Sequence, residues 1–344
     1  MTKNIKSNIL LVLASRLDAH ADAIVSHCHN RQAPVIRLDV EDFWPGVSTI
    51  NWAITNSGST AILQWGNRKI NADSVGSIYC RDFAFAKCNP SAKIETQLVY
   101  AEAKAALYGF LRCLENRYWM NPPWYDEMAD NKPYQMECAR NIGLTVPETL
   151  VTNDVSAFLR FYETCEQDVI IKQLSEICLI DDTELQNQQY GVDTGETAYG
   201  FYTNRVLPEH LDNIDEVLTT PCLFQEHIPK KADIRVTIVG DRVFSALIDS
   251  QNDQESKVDF RLKPDLPVYH FELPDSVVRK LLTLIHNWNL EFAACDFILT
   301  PEEELIFIEA NVEGNWLWIE HELSLPISRT IAERLLNFQS FDVH

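Results

Sequence analysis

The 344-residue chain carries 50 acidic against 29 basic side chains, a formal charge of −21, with 46% hydrophobic and 23% charged residues. That length exceeds one ordinary core and predicts two or three packed units, while the negative field repels nucleic-acid phosphates and anionic membrane surfaces. No run reaches the roughly 18 uninterrupted apolar residues of a membrane span, and MTKNIKSNILLVLAS has too short an apolar stretch and no clear cleavage pattern, so a cytoplasmic protein is expected.

The nine cysteines are scattered and never spaced C-x-x-C, the pattern of reduced packing residues rather than of disulfides or zinc. The same negative charge disfavours an anionic substrate such as ATP unless magnesium and local lysines or arginines reverse the sign at one site. The positions of the few basic residues are therefore informative.

SNILLVLAS (residues 7–15) predicts a buried strand, and RLDAHADAIVSHCHN a helix with Ala19, Ala23, Ile24 and His27 on one face. APVIRLDV adds a second strand and completes a βαβ start. Its first turn, ASRLDAH, holds no glycine, so the dinucleotide fingerprint of a Rossmann dehydrogenase is absent. INWAITNSGSTAILQWGNRKIN alternates around Ser-Gly and Gly-Asn turns and predicts a hairpin, and SVGSIYCRDF another buried strand. A long amphipathic helix is expected from Ile94 to Arg117, ended by NPPWYDE, with a first boundary near residue 120.

MADNKPYQMECARNIGLTVPETLV offers Asp130 or Asn131 as a helix N-cap, Pro133 in the first turn and Gly143 as the stop before Pro147. SAFLRFYETC predicts a short helix and DVIIKQL a β-branched strand. From Ser175 to Asn204 the chain is polar, and GVDTGETAYG, with Gly191, Gly195 and Gly200, has the composition of a mobile loop. ADIRVTIV, the two-residue turn Gly240-Asp241 and RVFSALID form a hairpin signal. A helix over Asp275 to Asn287, the strands EFAACDFIL and LIFIEANV around the turn TPEEE, and a last helix in SLPISRTIAERLLNF close the chain. The resulting division is an α/β (α+β) chain of three segments, 1–120, 121–222 and 223–344.

With TPEEE centred between Glu302 and Glu303, antiparallel counting sets Asp296 opposite Glu309 with Cβ atoms about 5 Å apart. Asn311 follows on the same face. Like charges so placed need a cation between them, and an all-oxygen set of Asp296, Glu309 and Asn311 suits Mg²⁺; the competing reading is a solvated strand face. Lys132 stands at a helix start, where backbone N–H groups favour anions. Lys172 is either a snorkelling strand-edge lysine or a phosphate ligand in a dry cleft. Asp233, Arg235 and Thr237 share one face of the hairpin, opposite Ile234, Val236 and Ile238; Asp233 and Arg235 either bind substrate and phosphate or form an exposed salt bridge.

The order helix-start lysine, strand lysine, glycine-rich loop, FQEHI, hairpin and D…E-x-N resembles the ATP-grasp ligases. The resemblance implies an ATP-grasp fold behind an N-terminal βαβ pre-ATP-grasp domain, with Lys132 and Lys172 on the nucleotide phosphates. It further implies that Gln225, Glu226, His227, Ile228 and Asp233 hold the rest of ATP, that Asp296, Glu309 and Asn311 bind two Mg²⁺ ions, and that Arg235 with Lys172 acts on the transferred phosphoryl group. RLDVEDFWPG, SIYCRDF, NPPWYDEMADNKPYQMECARNIGLTVPETLVTND, QEHIPKKADIRVTIVGDRVFSALIDSQ and FIEANVEGNWLWIEHELSLPISRTIAERLL are similar to the ATP-grasp maturases of microviridin-type ribosomal peptides, the graspetide ligases. This narrower likeness implies a precursor peptide partner, its leader docking near residues 240–262, and formation of ω-esters or ω-amides from Asp or Glu side chains through acyl phosphates. KVDFR departs from an expected VDWR, which leaves the roles of Asp259 and Arg261 open; YCRDF departs from an expected paired arginine, which leaves Arg81 supported and its neighbour not. A glutathione-synthase-like ligase for small molecules and a non-catalytic nucleotide-binding module are the competing functions. A C2 homodimer is the base-rate expectation for assembly.

Overall fold

Residues 10–14 have no solvent exposure at all, as expected of an inner strand of a parallel sheet covered on both faces. The computed structural model describes residues 8–40, 43, 48–81, 93–174, 203–253, 256–263 and 265–337. Its chain divides into two units: Met1–Asp126 with Leu290–Phe292 and Asn315–His344, and Glu127–Asn289 with Ala293–Gly314.

In the first unit β1 (Ile9–Ala14), β2 (Val35–Asp39), β6 (Val75–Cys80) and β7 (Tyr118–Met120) form a parallel sheet in the order β2-β1-β6-β7. Helix α1 (Ala19–Asn30) follows β1 and is capped by Asp18, which accepts from the Ala21 N–H at 2.8 Å. The expected hairpin is a three-stranded antiparallel meander, β3 (Ser48–Thr55), β4 (Gly58–Trp65) and β5 (Arg68–Asn71). Helix α2 (Ile94–Arg112) ends short of the expected Arg117, because the chain leaves helical geometry in a series of tight turns after Cys113. Leu63, Ile70, Phe110, Leu111 and Trp119 share one core with β1.

The second unit opens with α3 (Pro123–Ala129) and α4 (Lys132–Asn141). Strands β8 (Thr149–Thr152), β9 (Val169–Lys172), β10 (Asn204–Arg205) and β11 (Cys222–Glu226) form an antiparallel sheet in the order β10-β9-β11-β8. Helix α5 (Val155–Thr164) covers it, with the Phe158 ring 4.4 Å from that of Phe224. A second sheet has the order β14-β13-β12-β15-β16, from β12 (Ala232–Val239), β13 (Arg242–Ile248), β14 (Val268–His270), β15 (Phe292–Leu299) and β16 (Leu305–Asn311). Gly240 takes φ 60° in the β12–β13 turn, the left-handed value needed at the first position of a tight hairpin loop. No described helix is long and apolar enough to cross a membrane. The described cysteines are all free thiols.

Candidate active site

The carboxylates foreseen at the last hairpin do face each other: Asp296 is registered with Glu309, and Ala294 with Asn311. The route differs from simple counting. Leu299 pairs with Leu305 and Phe297 with Phe307, which centres the turn on Glu302, and a bulge at Ile308 then restores the missing residue. Thr300 N–H donates to Glu304 O at 2.9 Å and Glu303 takes φ 65° to close this tighter turn. The bulge also explains why two consecutive residues, Ile308 and Glu309, line the same cavity.

Arg235 on β12 answers the charge. Its Nη1 donates to both oxygens of Asp296, at 2.9 and 2.8 Å, with both residues buried. The exposed Asp233–Arg235 salt bridge that competed in the sequence is thereby excluded: every residue of β12 is buried, and Arg235 pairs across the sheet. Burial pushes the Asp296 carboxyl up, to about 6; Arg235 opposes this and Glu309 adds to it. The chain turns away from β16 at Gly314, where a Cβ would lie 2.4 Å from Ala294 Cβ and 2.8 Å from an Arg235 nitrogen, so only glycine fits.

Lys132, Lys172, Gln225, Glu226, His227, Ile228, Asp233, Asp296 and Glu309 line one cavity of about 120 Å³. Arg235 and Asn311, the other expected residues, are not among its lining side chains: Arg235 adjoins it through Asp296, and Asn311 stands two residues beyond Glu309 on β16, its Oδ1 accepting from Glu313 N–H at 3.0 Å. Lys132 is the first residue of α4, whose N-cap is Asn131, accepting from the Tyr134 N–H at 3.0 Å. The helix stops at Gly143, φ 83°, in a Schellman arrangement: Gly143 N–H donates to Arg140 O and Leu144 N–H to Ala139 O. Lys172 ends β9, an inner strand, so the strand-edge reading falls. Burial lowers its pKa, Glu309 opposes, and Arg261 and Lys132 lower it further. Four cations, Lys132, Lys172, Lys230 and Arg261, thus line one cavity beside five carboxylates, Glu226, Asp233, Asp259, Asp296 and Glu309, a local concentration of positive charge in a strongly acidic chain that suits a polyphosphate.

Gln225 is buried, with Nε2 donating to Thr149 Oγ1 at 3.0 Å and Oε1 without a partner among the described residues. A buried acceptor of that kind suits an exocyclic amine of a nucleobase. His227 Nδ1 lies 3.2 Å from Asp168 Oδ2, so the ring is tethered beside Glu226 and Ile228. The Asp233 carboxylate is largely engaged within the protein: Lys230 Nζ lies 3.0 Å from each oxygen, and Ser250 donates to Oδ2. Burial raises its pKa, which the Lys230 charge and the Ser250 hydroxyl counteract.

Sequence reading gave Lys230 no role and left Arg261 open. Both line the cavity. Lys230 also donates to Val258 O at 3.1 Å, pinning the segment that carries Asp259 and Arg261. Arg261 makes a two-point pair with Asp259, Nε to Oδ1 at 2.9 Å and Nη2 to Oδ2 at 2.6 Å. Burial alone would raise Asp259, yet Arg261 holds it below the usual range. Arg81, by contrast, is buried in the first unit, bonded to Asp18 at 2.8 Å and Asn315 at 2.6 Å. The glycine-rich segment 191–200 lies outside the described residues.

Among the described residues no group of three or more His, Cys, Asp or Glu side chains could hold a metal ion. A cation at Asp296 and Glu309 would rest on two carboxylates and the Asn311 amide, oxygen donors of the kind Mg²⁺ takes while sharing its remaining positions with phosphate and water.

The family model of the MvdD pre-ATP grasp domain matches residues 8–127. A Chryseobacterium gregarium RiPP-associated ATP-grasp ligase, solved with ADP and a leader and core peptide, superposes with TM-score 0.84 at 25% identity over 98% of this chain and 100% of that one. Macrocyclase MdnC of Microcystis aeruginosa MRC, bound with precursor peptide MdnA, gives 0.79 at 25% identity over 96% and 99%. Macrocyclase MdnB of the same organism gives 0.77 at 27% identity over 96% and 99%. No curated protein matches the sequence. The fold is that of ATP-grasp proteins preceded by a pre-ATP-grasp domain, as the sequence resemblance implied.

Proposed function

We propose that this chain, an ATP-grasp ligase of the group that matures microviridin-type ribosomal peptides, joins Asp or Glu side chains of a precursor peptide to Ser or Thr hydroxyls or Lys amines at the expense of ATP. The observation that carries this is the cavity in which Lys132, Lys172 and Arg261 meet the Asp296–Glu309 pair. The peptide-bound and ADP-bound states of the similar ligases support it.

A peptide carboxylate attacks the γ-phosphorus of ATP, the bond to the β-γ bridging oxygen breaks, and ADP leaves; the hydroxyl or amine then displaces phosphate from the acyl phosphate, losing its proton. Lys132 and Lys172 hold the phosphates, and the unsatisfied Gln225 oxygen with Glu226 to Ile228 receives the base. Arg261, fixed by Asp259, supplies a planar donor fork for phosphoryl oxygens, while Arg235 holds Asp296 in place. Mg²⁺, held by Asp296, Glu309 and Asn311 as one or two ions, would offset charge on the phosphates. No step requires an enzyme nucleophile, and among the described residues no cysteine lines the cavity.

The decisive experiment mixes the protein, ATP, MgCl₂ and a precursor peptide encoded beside the gene. Peptide-dependent ADP release with loss of one water per ring by mass spectrometry is expected. ADP release stimulated by a free amino acid and not by any peptide would move the assignment to a small-molecule ligase. Nucleotide binding with no acceptor-dependent turnover would leave a binding module.

A further inference from the structure

We propose that Gln135 is a positioning residue that decides whether Glu309 faces Asp296, and that it ties this pair to the phosphate-binding end of α4. The inference rests on the metal reading of the proposed function. Gln135 is 1% exposed. Its Nε2 donates to Ala129 O and to Ala310 O, both at 2.8 Å, and its Oε1 accepts from Ala310 N–H at 2.9 Å. Because Ala310 N–H can only donate, the amide orientation is fixed by its partners. The side chain thus behaves as a one-residue strand beside β16.

Ala310 sits between Glu309 and Asn311, and β16 is the last strand of its sheet. On its outer side Phe307 N–H is taken by Thr145 O at 2.8 Å, before the bulge, and Ala310 by Gln135, after it. The two anchors bracket Ile308. Ironing out the bulge would carry the register of Phe297–Phe307 onward, place Ile308 opposite Asp296 and turn Glu309 to the other face. The second anchor prevents this slip. Lys132 stands three residues before Gln135, on the same side of α4. One amide therefore joins the lysine of the phosphate cluster to the carboxylate strand, through the backbone and without touching any ligand.

The test titrates Mg²⁺ against ADP binding, using fluorescent ADP, in the wild type and in Gln135→Leu, Gln135→Glu and Leu284→Ala. The last is a core truncation in the same unit, at a side chain 1% exposed, and serves as the control for destabilisation. For both Gln135 variants the Mg²⁺ concentration giving half the gain in ADP affinity is expected to rise about 10–100-fold, as for other residues that orient ligands from behind, with Mg²⁺-free ADP affinity changed less than about twofold. Leu284→Ala should leave both unchanged. Gln135→Glu keeps an acceptor for Ala310 N–H and carries the reading if the leucine variant does not fold. Unaltered Mg²⁺ dependence in the folded Gln135 variants, or an equal shift in Leu284→Ala, overturns the role of Gln135. A wild type whose ADP affinity ignores Mg²⁺ overturns instead the metal site beneath it.

Discussion

Arg235 Nη1 stands 2.9 and 2.8 Å from the two carboxylate oxygens of Asp296 in a buried site that also faces Glu309. Arg235→Met leaves Asp296, opposite Glu309, without its hydrogen-bonded guanidinium. Breaking a buried pair in this way costs about 3–5 kcal/mol, a fall in Tm on the order of 10 °C. Added Mg²⁺ should return more of that loss than it adds to the wild type. Thermal melts with and without Mg²⁺ decide it: equal Mg²⁺ increments in the two proteins would separate Arg235 from the metal site.

Lys172 is held in a site that burial makes unfavourable for its charge, so its removal should not weaken the fold. Lys172→Met is expected to melt at or above the wild-type temperature while peptide-dependent ADP release falls about 100-fold or more. Melting and turnover measured on one preparation check both halves. A destabilised variant with normal turnover per folded molecule would make Lys172 a structural residue.

At Gly314 the smallest addition collides with Ala294 Cβ. Gly314→Ala should cost about 1–3 kcal/mol by overpacking and lower kcat more than it raises the KM for ATP, since Arg235 and Asn311 are the other groups in contact with the new methyl. Steady-state kinetics against ATP at saturating peptide gives the split.

Acid should find the first unit through Asp18. Burial would raise this carboxyl, but the His20 hydrogen bond, the Arg81 charge and the Ala21 N–H outweigh it and bring the pKa from 3.8 to about 2. A folded-state value below the unfolded one stabilises above pH 3.8 and loses that contribution as pH falls through 2, a term of about 2 kcal/mol. The difference in urea midpoint between wild type and Asp18→Asn is therefore expected to be full at pH 5 and to shrink toward pH 2. A difference independent of pH would contradict the assignment.

Much of the fold was legible because it is written in local patterns. Alternation and the Gly240-Asp241 turn gave the β12–β13 hairpin, and Asn131, Pro133 and Gly143 bounded α4 within its observed start and stop. The opposition of Asp296 and Glu309 was also legible, though through two errors that cancel, a turn one residue tighter than assumed and a bulge that returns the residue. A bulge has no periodicity of its own when both neighbours are compatible with a strand. The β5 and β14 strands are short and gained from pairing, not propensity. Gln135 and Lys230 carried no signal, since a glutamine in a helix and a lysine after a proline look solvated until tertiary contacts bury them. Asp233 and Arg235 share a strand face, yet their charges are met by different partners: Lys230, three residues away in the chain, and Asp296, which only the sheet order brings alongside.

The outer rim of β16 is closed to strand addition. Thr145 and Gln135 already satisfy Phe307 and Ala310 there, so an extended peptide cannot zip its backbone onto the strand that carries Glu309. Whatever reaches Glu309 therefore comes by way of the cavity and not by lengthening the sheet.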